Sequence, residues 1–371
     1  MKKTFVAAAV LGAFAGAAFA APSVTLYGVI DTGVSYTHYN PDTSADSTDT
    51  FQMKSGQASG SRWGLRGTED LGNGVKVGFD LESGINTDDG TQTLNRLFGR
   101  EASVFVSGSY GTVYAGRLGK LISTAGSIAM GGIYSPFGTT YGDAGVSNFT
   151  GTAWDRTDNT IAYKSPSFNG FTVAAEYSFN VDQVSNSTGV ENKASSDRYA
   201  SVGLQYKNGP LQAGILADWT LWKNAGDTRA TDDGYSVIAG GNYRFSCMTV
   251  YAQANYFSNQ ANVKTGVGSL VNSGKHAATV ANEGYEGWGV SVGARIPAFG
   301  GHVLAQVGYR DTESVKGDEE YKRWGAALGY TYAFSKRTSV YGAATYAQEK
   351  SEKNDVTPSA VSAMAGLIHK F

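Results

Sequence analysis

From about residue 23 to its end the chain alternates apolar with small or polar residues, in runs of roughly ten separated by turn residues. The clearest run places Phe171, Val173, Ala175, Tyr177 and Phe179 on one face and Thr172, Ala174, Glu176 and Ser178 on the other. Successive side chains of a strand point to opposite sides, so each run predicts a strand whose two faces meet different surroundings. Val75, Val77, Phe79 and Leu81 stand in the same way against Lys76, Gly78, Asp80 and Glu82, and Trp288, Val290, Val292, Ala294 and Ile296 against Gly289, Ser291, Gly293 and Arg295. Alternation alone also fits the half-buried strands of a soluble sandwich.

The interruptions of the pattern count the strands. Short turns are predicted at Asn73-Gly74, Tyr110-Gly111, Asn169-Gly170, Asn208-Gly209, Cys247, Ala298-Phe299-Gly300 and Lys336-Arg337, each between two alternating runs as a tight hairpin requires. Between successive turns there is room for two strands and one longer polar loop. With a first strand at about residues 23–38 and a last at about 358–371, the sum is sixteen strands with both ends on the short-turn side. An even, antiparallel set with its ends together can close on itself, leaving no unpaired edge. The longer connections, among them 40–50, 181–196, 258–283 and 350–357, lie on the opposite side. No domain boundary or longer repeat appears, which predicts one domain over residues 21–371.

Residues 119–152 lose the period altogether. This segment is rich in Gly, Ser, Thr and Ala and carries two charges, Lys120 and Asp143, together with Ile128, Met130, Ile133, Tyr134, Phe137 and Tyr141. A loop of that length inside a compact domain is usually functional, and so little charge predicts that it folds back against a partly apolar surface.

Export changes the picture. Lys2 and Lys3, an apolar run from Phe5 to Ala18 and the sequence Ala18-Phe19-Ala20 read as a secretory signal of residues 1–20. No later stretch approaches the ~20 apolar residues of a transmembrane helix, so any crossing of a membrane falls to strands. The full chain has a formal net charge of −2, and nothing in it points to a nucleic acid. Cys247 is the one cysteine, so no intrachain disulfide is available and backbone pairing must hold the fold. The 49 glycines and the tyrosine-rich aromatics suit bent strands and interfacial girdles better than helices. The histidines at 38, 276, 302 and 369 are dispersed, without metal-like spacing, and no G-x-S-x-G elbow is present. Neither an enzyme nor a cofactor is expected.

The chain resembles the general diffusion porins of Gram-negative outer membranes, most of all the β-proteobacterial ones. The resemblance rests on Thr25-Leu26-Tyr27-Gly28, on Ser61-Arg62-Trp63-Gly64-Leu65-Arg66-Gly67 followed by Glu69-Asp70-Leu71-Gly72, on Tyr110-Gly111-Thr112-Val113 with Gly116-Arg117, on Pro136-Phe137-Gly138 and on the terminal Phe371. It implies an all-β, 16-stranded antiparallel transmembrane barrel, usually a homotrimer, with an inward-folded third loop at 119–152. It further implies arginines on the wall opposite that loop: Arg62 and Arg66 in the second predicted strand, Arg100 in the fourth, Arg117 in the fifth and Arg156 in the sixth. A terminal aromatic such as Phe371 resembles the signal read by the barrel-assembly machinery, and outer-membrane lipid and lipopolysaccharide are the expected surroundings.

Strand parity supports part of this independently. Trp63 and Leu65 share one face, so Arg62, Gly64 and Arg66 share the other, which is the lumen if the first meets lipid; an arginine facing lipid near the midplane costs about 2 to 4 kcal/mol. For Arg100 and Arg117 the alternation declares no face. The chain departs from the best-known members of the family at its third loop, where Pro136 is followed directly by Phe137 and Asp143 is the only acid. With Asp31, Asp80 and Glu82 as wall acids, the expected balance at the constriction is positive. The expectation is passive diffusion of ions and small hydrophilic solutes with a preference for anions; the alternative is a substrate-specific channel with a weak binding site.

Overall fold

A computed structural model describes residues 23–151, 155–184, 191, 196–222, 232–260, 263, 266–268, 284–315 and 319–371. The signal segment expected at 1–20, residue 152 at the end of the aperiodic segment, and much of the loops at 181–196 and 258–283 lie outside them. The described strands are β1 (Ser23–Asn40), β2 (Thr48–Ser55), β3 (Arg62–Gly72), β4 (Val75–Gly84), β5 (Glu101–Gly108), β6 (Gly111–Gly119), β7 (Arg156–Lys164), β8 (Phe171–Ser178) and β9 (Arg198–Asn208). They continue as β10 (Leu211–Leu221), β11 (Gly234–Arg244), β12 (Thr249–Gln260), β13 (Tyr285–Ala298), β14 (Gly301–Ser314), β15 (Glu320–Ala333), β16 (Thr338–Ser351) and β17 (Ser359–Lys370).

All strands belong to one antiparallel sheet that closes where β17 returns to β1, from Val29↔Lys370 to Asn40↔Ser359. Segments β2 and β3 are two halves of a single wall strand: β2 pairs with the upper half of β1 (Thr32↔Ser55 to Tyr39↔Thr48) and β3 with the lower half (Val29↔Arg62 to Ser23↔Thr68). The wall therefore has the sixteen strands expected from the turn count. All seven expected hairpins are present, and Asn73-Gly74 and Asn169-Gly170 have positive φ at both residues, the twist that a two-residue hairpin needs. Closure satisfies every strand edge inside the wall, which is what lets a sheet cross a hydrocarbon layer.

The faces have the polarity of a membrane barrel. Val173 is 42% exposed on the outside, whereas Glu176, pointing inward from the same strand, is 4% exposed. Outward residues wait for lipid while inward ones are covered by the third loop, so apolar side chains are open and polar ones buried, the reverse of a soluble protein. Phe105, which interrupts the alternation of β5, follows the inward parity: its ring would lie 2.4 Å from a Cβ added at Gly78.

The last residue fastens the seam. Gly28 and Phe371 exchange two main-chain hydrogen bonds of 3.1 Å, and the Phe371 ring lies so close over Gly28 that an added Cβ would stand 2.3 Å from its Cζ. The glycine of the Thr25-Leu26-Tyr27-Gly28 motif is thus the floor on which the terminal aromatic rests.

Candidate functional site

Between β6 and β7 the chain turns into the barrel. Among the described residues its inward course carries three short 3-10 turns, Gly131–Ile133, Gly142–Ala144 and Val146–Phe149, and no strand. The first part packs Leu121, Ile122, Ile128, Met130, Ile133 and Tyr134 against Ala162, Ala174, Leu216 and Ile238 of the wall; the second packs Phe137, Tyr141 and Ala144 against Leu304, Tyr341, Ala343 and Met364. This is the partly apolar surface that the low charge of the segment predicts. Lumen glycines make the approach possible: a Cβ at Gly293 would lie 2.8 Å from Pro136, one at Gly308 2.5 Å from the Phe149 ring, and one at Gly329 3.0 Å from Phe137.

Both charges of the loop are paired, Lys120 at the loop's base with the residue before β7 and Asp143 with the wall. Lys120 pairs with Asp155 at 2.6 Å and lies over the Tyr199 ring at 4.2 Å. Asp143 accepts from Arg323 Nη2 at 2.6 Å and from the Gly268 amide at 2.9 Å. Arg323 Nη2 also donates to Asn148 Oδ1 at 3.2 Å, and its Nη1 faces Glu349, which in turn pairs with Arg310 at 3.0 Å. Arg310, Arg323, Glu349 and Asp143 are all buried. Buried charges are tolerable only when paired and hydrogen-bonded, and this cluster ties the tip of the loop to β15 and β16.

What the loop leaves open is a cavity of about 650 Å³. Arg62, Arg100 and Arg156 border it from the β3–β7 wall, the loop from Ser135 to Tyr141 borders it along one side, and Tyr251, Arg295 and Thr331 come from the far wall. The interruption between β2 and β3 contributes directly: Ala58 and Ser59 donate their amides to Asp31 Oδ2 at 2.7 Å each, and the carbonyl of Gly60 accepts from Arg62 Nη1 at 2.7 Å. One carboxylate serves two of the arginines, since Glu82 lies 2.6 Å from Arg100 Nε and 3.3 Å from Arg62 Nε. Arg156 donates to the carbonyl of Arg100 at 2.7 Å and has no carboxylate within ion-pair distance among the described residues. Four guanidinium groups, with Arg295 on the far wall, against one carboxylate leave an excess of positive charge in a narrow, partly desolvated space.

The other expected site residues are elsewhere. Arg66 is four residues nearer the short-turn side, stacked 4.9 Å over the Tyr27 ring, and Tyr27 bridges Asp80 and Glu82 at 3.1 Å each. Arg117 lies behind the cavity, its Nη1 on Asp158 at 2.5 Å and its Nε on the Gly99 carbonyl at 2.7 Å; Arg96 takes the other oxygen of Asp158. Asp143, expected at the constriction as the loop's only acid, does not face the arginines of the cavity: its carboxylate is buried on Arg323. Asp31 is likewise no open wall acid but is fully buried, accepting from the 58–59 amides and from the Tyr341 hydroxyl at 2.7 Å. Pro136 and Phe137 border the cavity with the loop.

Arg323, Arg310, Glu349 and Arg295 escape the sequence reading. Alternation with Trp324 would have turned Arg323 inward, but its partners follow only from the registers Arg310↔Arg323 and Arg323↔Glu349 and from the path of the loop. Arg295 stood on the polar face of its strand from the outset; its place beside the cavity was not readable.

Comparison with known proteins is consistent across the whole chain. Residues 7–352 match the family model described as Gram-negative porin. The chain is 35% identical to an outer membrane porin protein of Bordetella pertussis, with all of both chains covered, and 33% identical to outer membrane porin protein 32 of Delftia acidovorans, over 94% of this chain and 90% of that one. Among solved structures it is similar to the anion-selective porin from Comamonas acidovorans, with a TM-score of 0.67 and 27% identity over 94% of this chain and all of that one.

Proposed function

The chain belongs to the Gram-negative porin family, and from that membership we propose that its pore prefers anions, with Arg62, Arg100 and Arg156 setting the preference. The protein is an outer-membrane porin, a water-filled barrel for passive diffusion of ions and small hydrophilic solutes. Such a pore replaces a hydrocarbon barrier by a polar path whose width and fixed charge decide what passes. The observation that carries the preference is the convergence of four guanidinium groups, Arg62, Arg100, Arg156 and Arg295, on one cavity in which Glu82 pairs with only the first two. Each guanidinium is permanently charged and presents several fixed donors, so anions are concentrated without being tightly held. The selectivity named for the Comamonas acidovorans porin supports the same reading.

The zero-current potential of the reconstituted channel under a potassium chloride gradient tests it. The expected sign is that of chloride passing faster than potassium, and a potential of the opposite sign would overturn the preference.

We further propose that residues 1–20 are removed on export, that the mature barrel assembles as a homotrimer, and that the barrel-assembly machinery reads Phe371. Deleting Phe371 is expected to lower the amount of heat-resistant barrel in the outer membrane severalfold, as read on gels of unheated membranes. Normal yield would argue against both the recognition role and the need for the seam contact with Gly28.

A further inference from the structure

A second cavity of about 210 Å³ lies at the short-turn mouth, bordered by Arg244, Thr249, Arg295 and His302 together with apolar side chains of the β11–β12 turn. Arg295 borders this cavity and the constriction alike, so the two are consecutive along the lumen. Thr249 of β12 is the cross-strand neighbour of Arg244 on one side and of Arg295 on the other, which sets the two arginine backbones about 10 Å apart with both side chains inward. Neither arginine has an ion-pair partner among the described residues, and no carboxylate borders the cavity. His302 belongs to the next strand, where its Nδ1 lies 3.3 Å from Arg295 Nη2.

That contact has a chemical consequence. A neutral imidazole can accept from the guanidinium through Nδ1, but a protonated one has no lone pair to offer. Protonation of His302 therefore does two things at once: it adds a positive charge to the mouth and it releases Arg295 toward the lumen. We propose that Arg244, Arg295 and His302 form a second anion station for small divalent oxyanions, distinct from the constriction, whose strength rises as pH falls through the range in which histidine titrates. The proposal rests on a lumen that admits anions. The groups facing His302 are Arg295 and Pro297 from β13 and Thr331 from β15, with Arg244 beyond Thr249, so the imidazole is the one group among them that can gain charge as the pH falls into the mildly acidic range.

Sulfate is the suitable probe, because it stays a dianion while the imidazole titrates. In planar bilayers carrying the full-length mature protein in potassium chloride, sulfate is expected to depress the chloride current, and the concentration for half effect is expected to be roughly threefold lower at about pH 5.5 than at about pH 8. His302→Gln should abolish the difference between the two pH values, and His302→Arg should give the stronger effect at both. Arg244→Gln should weaken the sulfate effect at both. Retention of the pH difference in His302→Gln, or an unchanged sulfate effect in Arg244→Gln, would overturn the station; electrophoretic heat-modifiability identifies any variant that has not folded. A cation-selective zero-current potential would instead defeat the constriction reading while leaving the His302-dependent sulfate effect measurable, so the two failures are distinguishable.

Discussion

Replacing Arg323 by alanine is expected to raise the single-channel conductance by a factor of roughly 1.5 to 2 and to make the open current noisy, because the tip of the third loop comes loose. The wall itself should survive, since its stability lies in the closed ladder of main-chain hydrogen bonds, and the substitution keeps the residue 323 backbone in that ladder and removes only a side chain. The loop is in a different position. Its tip is held by the Arg323–Asp143 pair and by Arg323 to Asn148, and removing the guanidinium leaves Asp143 and Glu349 buried with less compensating charge. Breaking a buried pair from one side costs about 3 to 5 kcal/mol. Each large apolar side chain that the loop buries stabilises it by about 1.5 to 3 kcal/mol, so the loss should free the stretch around Asp143 and Asn148 rather than the whole segment. Asp143→Asn, which keeps an acceptor for Arg323, should change the conductance far less. A quiet channel of ordinary conductance in Arg323→Ala would show that Phe137, Tyr141 and Phe149 hold the loop without help.

Arg156→Gln is expected to lower the ratio of chloride to potassium permeability more than the same change at Arg62 or Arg100. Coulomb's law gives about 0.7 kcal/mol for a monovalent ion passing ~6 Å from a unit charge in a water-like dielectric. An anion gains what a cation loses, so one uncompensated arginine is worth roughly tenfold in the ratio before screening, and less in 0.1 M salt, where the screening length is about 10 Å. Arg62 and Arg100 share Glu82 and act partly as a neutral unit, whereas Arg156 leans on a carbonyl. The same reasoning reverses at the acid: Glu82→Gln should raise the anion preference. Measured as zero-current potentials at low and high salt, the differences between variants should shrink as salt rises. Equal effects from the three arginines would mean that Glu82 does not offset their charge in the open pore.

The wall was legible in the sequence because its information is local. A period of two, a polar turn and an apolar outer face are properties of neighbouring residues, and the seven turns together with the outward Trp63, Val173 and Trp288 could be read directly. The split of the second strand was not, since it depends on Asp31 capturing the amides of Ala58 and Ser59 from across the ladder. The constriction was legible only in outline. The lumen face of Arg62 follows from its neighbours, but Arg100 precedes its strand and Arg156 opens one after the long loop, where parity has not yet begun. Arg117 and Asp143 show the limit most plainly: both have the charge a pore would use, and both are directed elsewhere by partners, Asp158 and Arg323, that lie 41 and 180 residues away in the chain.

Residues 119–152 of the third loop carry one positive and one negative charge, Lys120 paired with Asp155 at the foot of β7 and Asp143 with Arg323 of β15. A membrane voltage exerts force in proportion to charge, about 2.3 kcal/mol per elementary charge for every 100 mV crossed. On this segment the pulls on Lys120 and Asp143 are opposite in direction and are transmitted into opposite sides of the barrel, so an electric field has no net purchase on the constriction as a body. The part of the pore that sets its width is thereby electrically idle, and the part that carries the charge is built into a rigid wall.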